Sequence, residues 1–346
     1  PVPVKKQPKY NIARWAVTGR ADTWLNTMCF RIYNKLTNSV DLGSESWKNL
    51  LELWSSDLRT HLTDQRWSDC KAKVADTLTD LKLPKRFGLQ QEQFQIIETT
   101  SEILAMTGVN CQIFGDGIYL VLETSTTKLI LNLRRGIAIE SLCFKSLGED
   151  PCIGTIKHGY LNSIVQGADY YSGGMVIESP VSQSKITDLH PVIPTYLLSN
   201  NGDLTVKVKI KTSAGMVTKY IKLSSALEQI KISYQLSELK RSISSVKLGN
   251  FTLSPQFSKA FTSYSCKVGG AKERLFNVAK EINHSLPANR FVSSSRGFSA
   301  TSGELSLDCS GKSFYLTWVP SECTPLCFID HDGDYTRVSF SVCEID

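Results

Sequence analysis

The amino-acid sequence predicts a mainly β protein, in which a large antiparallel β-sandwich of two sheets follows an N-terminal three-helix segment. Short apolar runs between turn residues fill the chain from about residue 92 onward, a pattern typical of antiparallel sheets. These runs do not alternate with helices, which excludes a parallel α/β fold. The first part of the chain instead spaces its apolar residues three and four apart, as helices do, and contains five of the six tryptophans.

Charge and tryptophan content divide the chain near residues 84–90. Residues 1–90 contain 15 Lys and Arg against nine Asp and Glu, whereas the rest of the chain has no net charge. We expect an extended basic lead over residues 1–20, a helical region over 21–88 and a β-sandwich domain over 89–346. The overall net charge of +6 is mild for nucleic-acid binding, so we expect no nucleic-acid partner.

Three helices are predicted in the helical region. The first begins near Asp22, a residue type that caps helices, and ends near Leu36. The second begins at Ser44 and the third at Asp64, and Pro84 follows the last turn. One face of the second helix is apolar at Trp47, Leu50, Leu51, Trp54 and Leu58. The matching face of the third comprises Trp67, Cys70, Val74, Leu78 and Leu81.

Some fifteen strands are predicted in the remainder, with one interrupting helix near residues 271–282. The clearest strand lies within residues 202–212, where Leu204, Val206, Val208 and Ile210 alternate with lysines. Strict alternation indicates a half-buried antiparallel strand, so Lys207, Lys209 and Lys211 should face outward. The predicted strands span residues 94–98, 102–106, 110–114, 117–123, 127–133, 136–145, 174–178, 184–189, 204–211, 216–223, 227–235, 247–254, 304–308, 313–319 and 335–345.

The sequence offers no motif for a metal, a cofactor or a membrane. The ten cysteines form no Cys-x-x-Cys pair, and several lie in apolar strands, where a thiol acts as a small hydrophobic group. No nucleotide-binding or zinc-protease motif occurs, so we expect no cofactor and no metal. No apolar run approaches the ~20 residues of a membrane helix, and the first ten residues lack an apolar signal region. We therefore expect no membrane partner and a cytoplasmic location.

The densest polar and aromatic stretch is the connection over residues 156–178. It contains His158, Tyr160, Asn162, Asp169, Tyr170, Tyr171 and Ser172. Aromatic faces stack on sugar rings while polar side chains hold the hydroxyl groups, and loops on a rigid scaffold are common places for such sites. The stretch could equally be an ordinary long loop with a buried tyrosine pair. A catalytic interpretation would use His158 with Asp169 or Glu178 as acid and base.

Several phrases of the sequence together resemble glycoside hydrolase family 57. The phrases "PKYNIARWAVTGRADTWLNTMCFRIYNKL" (residues 8–36) and "LLELWSSDLRTHLTDQRW" (50–67) resemble the segment that follows the catalytic barrel in bacterial proteins of this type. Three further phrases resemble the sandwich that comes next in those proteins: "NLRRGIAIESLCF" (132–144), "GTIKHGYLNSIVQGADYYSGGMVIESP" (154–180) and "KITDLHPV" (185–192). The end of the chain, "LTWVPSECTP…YTRVSFSVCEID", is similar as well.

The resemblance implies a galactose-mutarotase-like supersandwich and a chain that is only the C-terminal half of such a protein. The catalytic carboxylates of the family lie in an N-terminal barrel, so no catalytic residue carries over to this chain. Two motifs would lie near a glycan: the residues around His158, Tyr160, Asp169, Tyr170 and Tyr171, and the "TGR.D" motif with Arg20, Asp22 and the adjacent Trp24. The sequence departs from the family at Gly174, where a polar residue or histidine is expected.

The sequence leaves three functions open. The first is a carbohydrate-associated protein without a catalytic barrel, which binds an α-glucan or related polysaccharide, or supports a barrel on the same or a partner chain. The second is a self-sufficient sugar epimerase or lyase on the supersandwich. The third is a structural or assembly protein without glycan function. An anionic polymer on the lysine-bearing strand is a further, less favoured interpretation, because exposed strand positions are polar anyway.

Overall fold

The architecture is described from a computed structural model that covers residues 20–39, 43–58, 62–84, 94–156, 171–179, 184–238, 245–268, 273–278, 297–298, 300–333 and 335–344. Within these ranges the chain forms five α-helices and twenty strands in three antiparallel sheets. The predicted β-sandwich class with N-terminal helices is confirmed. No helix in these ranges is long and apolar enough to cross a membrane.

The helices are α1 Asp22–Thr37, α2 Ser44–Leu53, α3 Asp64–Asp80, α4 Thr100–Thr107 and α5 Pro255–Ala260. The strands are β1 Phe94–Ile97, β2 Asn110–Phe114, β3 Tyr119–Glu123, β4 Thr127–Asn132, β5 Ala138–Phe144, β6 Ile153–Gly154, β7 Gly174–Ser179, β8 Ser184–Thr187, β9 Thr195–Ser199, β10 Leu204–Lys211, β11 Met216–Leu223, β12 Ile230–Ser237, β13 Ser245–Leu253, β14 Phe261–Lys267, β15 Glu273–Asn277, β16 Gly297–Phe298, β17 Glu304–Cys309, β18 Lys312–Thr317, β19 Leu326–Asp332 and β20 Tyr335–Glu344.

The chain divides into two compact units. Unit 1 comprises residues 1–88, 261–330 and 340–346, and unit 2 comprises residues 89–260 and 331–339. Each unit has its own sheet structure. Unit 1 contains the four-stranded sheet β15-β14-β17-β18 and the pair β16-β19, and unit 2 contains the five-stranded sheet β1-β9-β10-β11-β12. In unit 2 the order β13-β6-β5-β4-β3-β2 forms a further sheet, with β7 beside β13 and β8 beside β7.

The first three helices of unit 1 pack around one apolar core. Its buried members are Leu25, Met28, Cys29, Ile32, Leu36, Leu50, Leu53, Trp67, Cys70, Val74, Leu78 and Leu81. The predicted face of α3 is therefore confirmed. The predicted face of α2 is wrong at Leu51, which is 65% exposed, because the residues of α2 that fill the core are Leu50 and Leu53, three positions apart on one face,.

Asp22 is not the N-cap of α1. Ala21 occupies that position with a φ of 48°, and Asp22 is the first helical residue. A carboxylate in the first turn still favours the helix, because it lies near the positive end of the helix dipole. At α3, by contrast, the Thr63 hydroxyl accepts the Arg66 backbone N–H, which is an ordinary side-chain cap.

Two predicted elements have the wrong type. Residues 102–106 form part of α4 rather than a strand, because Thr99 and Glu102 form a capping box that begins the helix,. The region predicted as a helix over residues 271–282 contains strand β15 in its described part. Its Phe276 pairs with Tyr264 of β14, with ring centroids 5.0 Å apart, and cross-strand aromatic pairs of this kind stabilise sheets.

The five-stranded sheet of unit 2 confirms the alternation predicted for β10. Leu204, Val206, Val208 and Ile210 are at most 2% exposed, whereas Lys209 and Lys211 are exposed and Lys207 is half-buried. On β11 the inward positions continue with Val217, Lys219 and Ile221, opposite Ile210, Val208 and Val206. A lysine therefore points into the sandwich.

Candidate functional site

Three segments of unit 2 meet at one corner of the sandwich. The first is the turn between β4 and β5, whose 3₁₀ helix Leu133–Arg135 is followed by Gly136. The second is residues 171–175, which lead into β7, and the third is residues 188–192, which follow β8. Backbone hydrogen bonds join the first to the third: Gly136 N–H donates to His190 O at 2.8 Å, and Val192 N–H donates to Leu133 O at 2.9 Å.

A buried ion pair fixes this corner. Lys219 Nζ lies 3.1 Å from Asp188 Oδ2, and neither side chain is exposed to solvent. Lys219 also donates to Gly136 O at 3.0 Å, and Asp188 Oδ1 accepts the Met175 N–H at 2.9 Å. The pair thus bonds to all three segments. Burial lowers the pKa of Lys219, and the adjacent carboxylate of Asp188 opposes that effect by favouring the ammonium form,.

Gly136 is required by the close approach of two of these segments. Its φ is +59°, and a Cβ atom there would overlap the carbonyl oxygen of Asp188. Glycine alone combines the left-handed conformation with the absence of a side chain. The "RRG" turn therefore presents its two arginines at a fixed place beside the Asp188 segment.

The corner exposes an arginine stacked on a tyrosine. The Arg135 guanidinium carbon lies 5.5 Å from the centroid of the Tyr171 ring. Arg135 is exposed and Tyr171 is half-buried. A planar guanidinium over an aromatic face is a favourable contact that leaves the arginine N–H groups free to donate outward.

Tyr171 is held by the residues that follow it. The fully buried Ser172 accepts the Thr252 N–H at 2.9 Å, and its carbonyl accepts the Ile139 N–H at 2.8 Å. The Tyr234 hydroxyl donates to Gly173 O at 2.8 Å. At Gly174, where the resemblance noted above led us to expect a polar residue or histidine, an added Cβ would lie 3.2 Å from Tyr171 O. The glycine therefore permits the tight turn that sets Tyr171 at the corner.

The other predicted glycan residues fall into two groups. His158, Tyr160, Asp169 and Tyr170 lie outside the described residues, and Tyr171 is the glycan-binding candidate of that stretch that lies within them. Arg20, Asp22 and Trp24 lie in unit 1 at the start of α1. Arg20 forms an ion pair with Asp64 at 2.7 Å. Asp22 is buried and accepts the Asn26 amide at 3.2 Å.

Trp24 is a core-edge residue of unit 1. Its ring is 37% exposed and meets Trp67 edge-on, with centroids 5.8 Å apart. The edge-to-face contact is a typical packing geometry for aromatic pairs. Trp24 thus keeps part of one surface open to solvent while it closes the helical core.

Glu178, the predicted catalytic alternative to Asp169, lies in a charge-paired environment on β7. Its carboxylate is 3.3 Å from Lys185 Nζ and 3.9 Å from Lys247 Nζ. Glu178 of β7 thus forms ion pairs with lysines of both neighbouring strands, β8 and β13.

Arg135, Asp188 and Lys219 were not named as site residues from the sequence. One signal was present: Lys219 occupies an inward position in the alternation of β11, "MVTKYIKL", where an apolar residue is expected. A lysine at an inward strand position requires a buried anionic partner. The partner itself, 31 residues away, is visible only in the folded chain.

Comparison with solved structures gives remote likenesses, two of which are a galactose mutarotase-like protein and a 4-alpha-glucanotransferase. No protein-family model and no curated protein matches the chain. A galactose mutarotase-like protein from Clostridium acetobutylicum is 10% identical with a TM-score of 0.35, over 68% of this chain and 88% of that one. A 4-alpha-glucanotransferase from Thermococcus litoralis is 8% identical with a TM-score of 0.22, over 92% of this chain. This chain spans 48% of that enzyme. Because both TM-scores are this low, neither likeness supports the fold assignment, which rests on the sheets of the chain itself.

Proposed function

We propose that this protein is carbohydrate-associated and that its sandwich binds glycan at the Arg135–Tyr171 corner. In this proposal the chain corresponds to the helical and sandwich part of a glycoside hydrolase family 57-type protein. It positions an α-glucan or related polysaccharide for a catalytic barrel on the same or a partner chain. Cleavage is assigned to that barrel.

The observation that carries the proposal is the exposed guanidinium stacked on a half-buried tyrosine, 5.5 Å from its centroid. A pyranose ring has an apolar face that packs on aromatic rings and hydroxyl groups that accept from arginine N–H donors. Both groups stand on a corner fixed by a buried ion pair. A site whose side chains are already ordered loses less entropy when its ligand binds.

The positions of the three sandwich phrases in the structure also support a glycan site at the Arg135–Tyr171 corner. The three phrases from the sandwich, residues 132–144, 154–180 and 185–192, contribute the three segments that meet at the corner. The Lys219 ammonium joins them through Gly136 O and Asp188. These phrases follow one another closely in sequence, and the corner is where residues of all three come together.

Calorimetric titration of the full chain with maltoheptaose and with longer α-glucans tests the proposal. We expect binding that Tyr171→Ala and Arg135→Ala each weaken by at least about tenfold, the size of one lost stacking or charged hydrogen-bond contact. Tyr315→Ala is the matched control, because Tyr315 is a 61% exposed strand tyrosine of unit 1. Absence of binding at millimolar glycan, or equal affinities for wild type and Tyr171→Ala, would contradict the proposal.

A further inference from the structure

The five-stranded sheet of unit 2 carries a cationic face, defined by Lys207, Lys209, Lys211, Lys222 and Lys231. The first three follow one another at alternate positions of β10. Lys222 lies on β11 directly opposite Lys231 of β12. Alternate residues of a strand are about 6.8 Å apart and neighbouring strands about 4.8 Å apart, so the five ammonium groups share one surface.

Four of these lysines lack an anionic partner. Among the residues that the structure describes, Lys207, Lys209, Lys211 and Lys231 have no carboxylate within ion-pair distance, and only Lys222 pairs, with Asp203 at 3.3 Å. Elsewhere in unit 2, Lys145, Lys185, Lys219 and Lys247 are paired, whereas Lys128 on β4 has no carboxylate within ion-pair distance among the described residues. Like charges directly opposite each other destabilise a sheet. The clustering thus has a cost that an anionic ligand would offset.

An open depression of about 750 Å³ borders this face. One wall consists of Lys207 and Lys209, and the other of the apolar side chains of Pro191, Val192 and Ile193. Ile193 is 91% exposed. The depression therefore places ammonium groups beside an apolar surface whose Ile193 is exposed among the described residues.

We propose that the cationic face and its depression bind an acidic polysaccharide with one carboxylate on each sugar ring, a polyuronate. The carboxylates would pair with the lysines, and the apolar faces of the rings would lie against Pro191 and Ile193. This surface uses side chains other than Arg135 and Tyr171, although Pro191 and Val192 belong to the segment 188–192 that meets the corner. It adds an anionic ligand class to the neutral glycan proposed there.

The uncharged residues of the face favour a sugar polymer over a nucleic acid. Gln235, in the cross-strand row of Lys209, is exposed, and Ser233, in the row of Lys207, is half-buried. Such hydroxyl and amide groups match a ligand rich in hydroxyls. Single-stranded nucleic acids bind to series of aromatic platforms, but the described strands β10–β12 carry one outward ring here, Tyr220, and Lys207 Nζ lies 5.6 Å from its centroid.

Binding of the full chain to polygalacturonate, measured by calorimetry from about 0.01 M to about 0.15 M NaCl, tests the inference. We expect binding that weakens steeply over this range, in which the Debye length falls from about 30 Å to about 8 Å. The double variant Lys207→Gln/Lys209→Gln should lose at least about fivefold in affinity at low salt, because two exposed charge contacts are removed.

Lys128→Gln on β4 is the matched control, since Lys128 is also an exposed strand lysine, and it should keep wild-type affinity. Tyr171→Ala should leave polygalacturonate binding unchanged, which separates this surface from the neutral-glycan corner. An oligo-dT of equal charge should bind at least about tenfold more weakly, given the missing stacking platforms. Oligo-dT binding as tight as polygalacturonate, no polygalacturonate binding, an unaffected double variant or an equal loss in Lys128→Gln would each overturn the inference.

Discussion

The buried Asp188–Lys219 pair holds the segments of the candidate site in position, although neither side chain lines that site. The pair has no solvent exposure, yet it contacts the turn that presents Arg135 and the segment that presents Tyr171. Two ions are costly to remove from water, and their attraction compensates only when further hydrogen bonds satisfy them. The bonds to Gly136 O and Met175 N–H meet that condition.

Removal of one member of this pair should cost more stability than removal of both. Asp188→Asn leaves a buried ammonium group without its counter-ion, and we expect it to lower the free energy of unfolding by roughly 3 kcal/mol or more. The double variant Asp188→Asn/Lys219→Met should recover part of that loss, since it buries no unpaired charge. Urea unfolding followed by circular dichroism measures both. A double variant whose loss equals the sum of the two single losses would show that the pair is not coupled.

At the residue scale, sequence reasoning named Tyr171 as a candidate but none of the residues that hold it in place. Tyr171 stands in a visibly polar and aromatic stretch, so composition alone singles it out. Arg135, Asp188 and Lys219 are ordinary residues until β11 is placed against the β4–β5 turn. Their roles arise from cross-sheet geometry, which local patterns do not encode.

At the scale of elements, predictions were correct where the spacing of apolar and polar residues was regular over the whole element. Strands β10 and β11 have the predicted bounds of 204–211 and 216–223, because the strict alternation of β10 leaves one register and β11 pairs with it along its full length. α4 was taken for a strand because its eight residues are too few to show a helical period. Its capping box, at Thr99 and Glu102, was the available signal. Strands β9, β14 and β19 were not predicted at all.

The connection before β10 is an element whose stability should depend on pH. Asp203 accepts from Ser225 N–H at 3.1 Å, Asn201 Nδ2 at 2.8 Å and Lys222 Nζ at 3.3 Å. Burial alone would raise the pKa of Asp203. The bonds from Ser225, Lys222 and Asn201 outweigh burial, and the pKa lies below its ordinary value of 3.8. The unfolded chain thus binds this proton more readily than the folded chain.

The stabilisation from Asp203 should consequently be complete above pH 3.8 and be lost as the pH falls through the lower folded pKa,. Near neutral pH we expect the free energy of unfolding of the wild type to exceed that of Asp203→Asn by about 1–2 kcal/mol, the usual contribution of hydrogen bonds to a charged group. Urea unfolding at a series of pH values checks this. If the difference in free energy of unfolding between wild type and Asp203→Asn instead grows as the pH falls, the proposed lowering of the Asp203 pKa is wrong.

At the scale of the whole molecule, the cysteines behave as apolar residues distributed through both units. All ten are free thiols, eight of them buried and two intermediate. Burial raises the pKa of Cys111 to about 11 and that of Cys152, Cys266 and Cys323 to about 12. Because the thiolate is the reactive form, buried thiols of high pKa are inert. This agrees with the interpretation of most cysteines as reduced core residues.

Thiol labelling tests that distribution over the entire chain. At pH 8 we expect Ellman's reagent to react slowly with the native protein, since few thiolates are present and few are accessible. All ten thiols should react promptly once denaturant opens the fold. Rapid reaction of more than the two half-exposed positions, Cys323 and Cys343, before unfolding would show that the cores are looser than described.

The long-range hydrogen bonds of unit 1 affect the order in which the chain can fold during its synthesis on the ribosome. The Thr23 hydroxyl on α1 donates to Val342 O, 319 residues away, and Thr324 bonds to both Thr23 and Thr27. At about 5–20 residues per second, the ribosome releases α1 some 15 to 60 s before these partners. During that interval the strands of unit 2 up to β13 are already available to pair. The helices therefore depend for that time on their own tryptophan-rich core, and unit 1 is completed only when translation reaches the last strand.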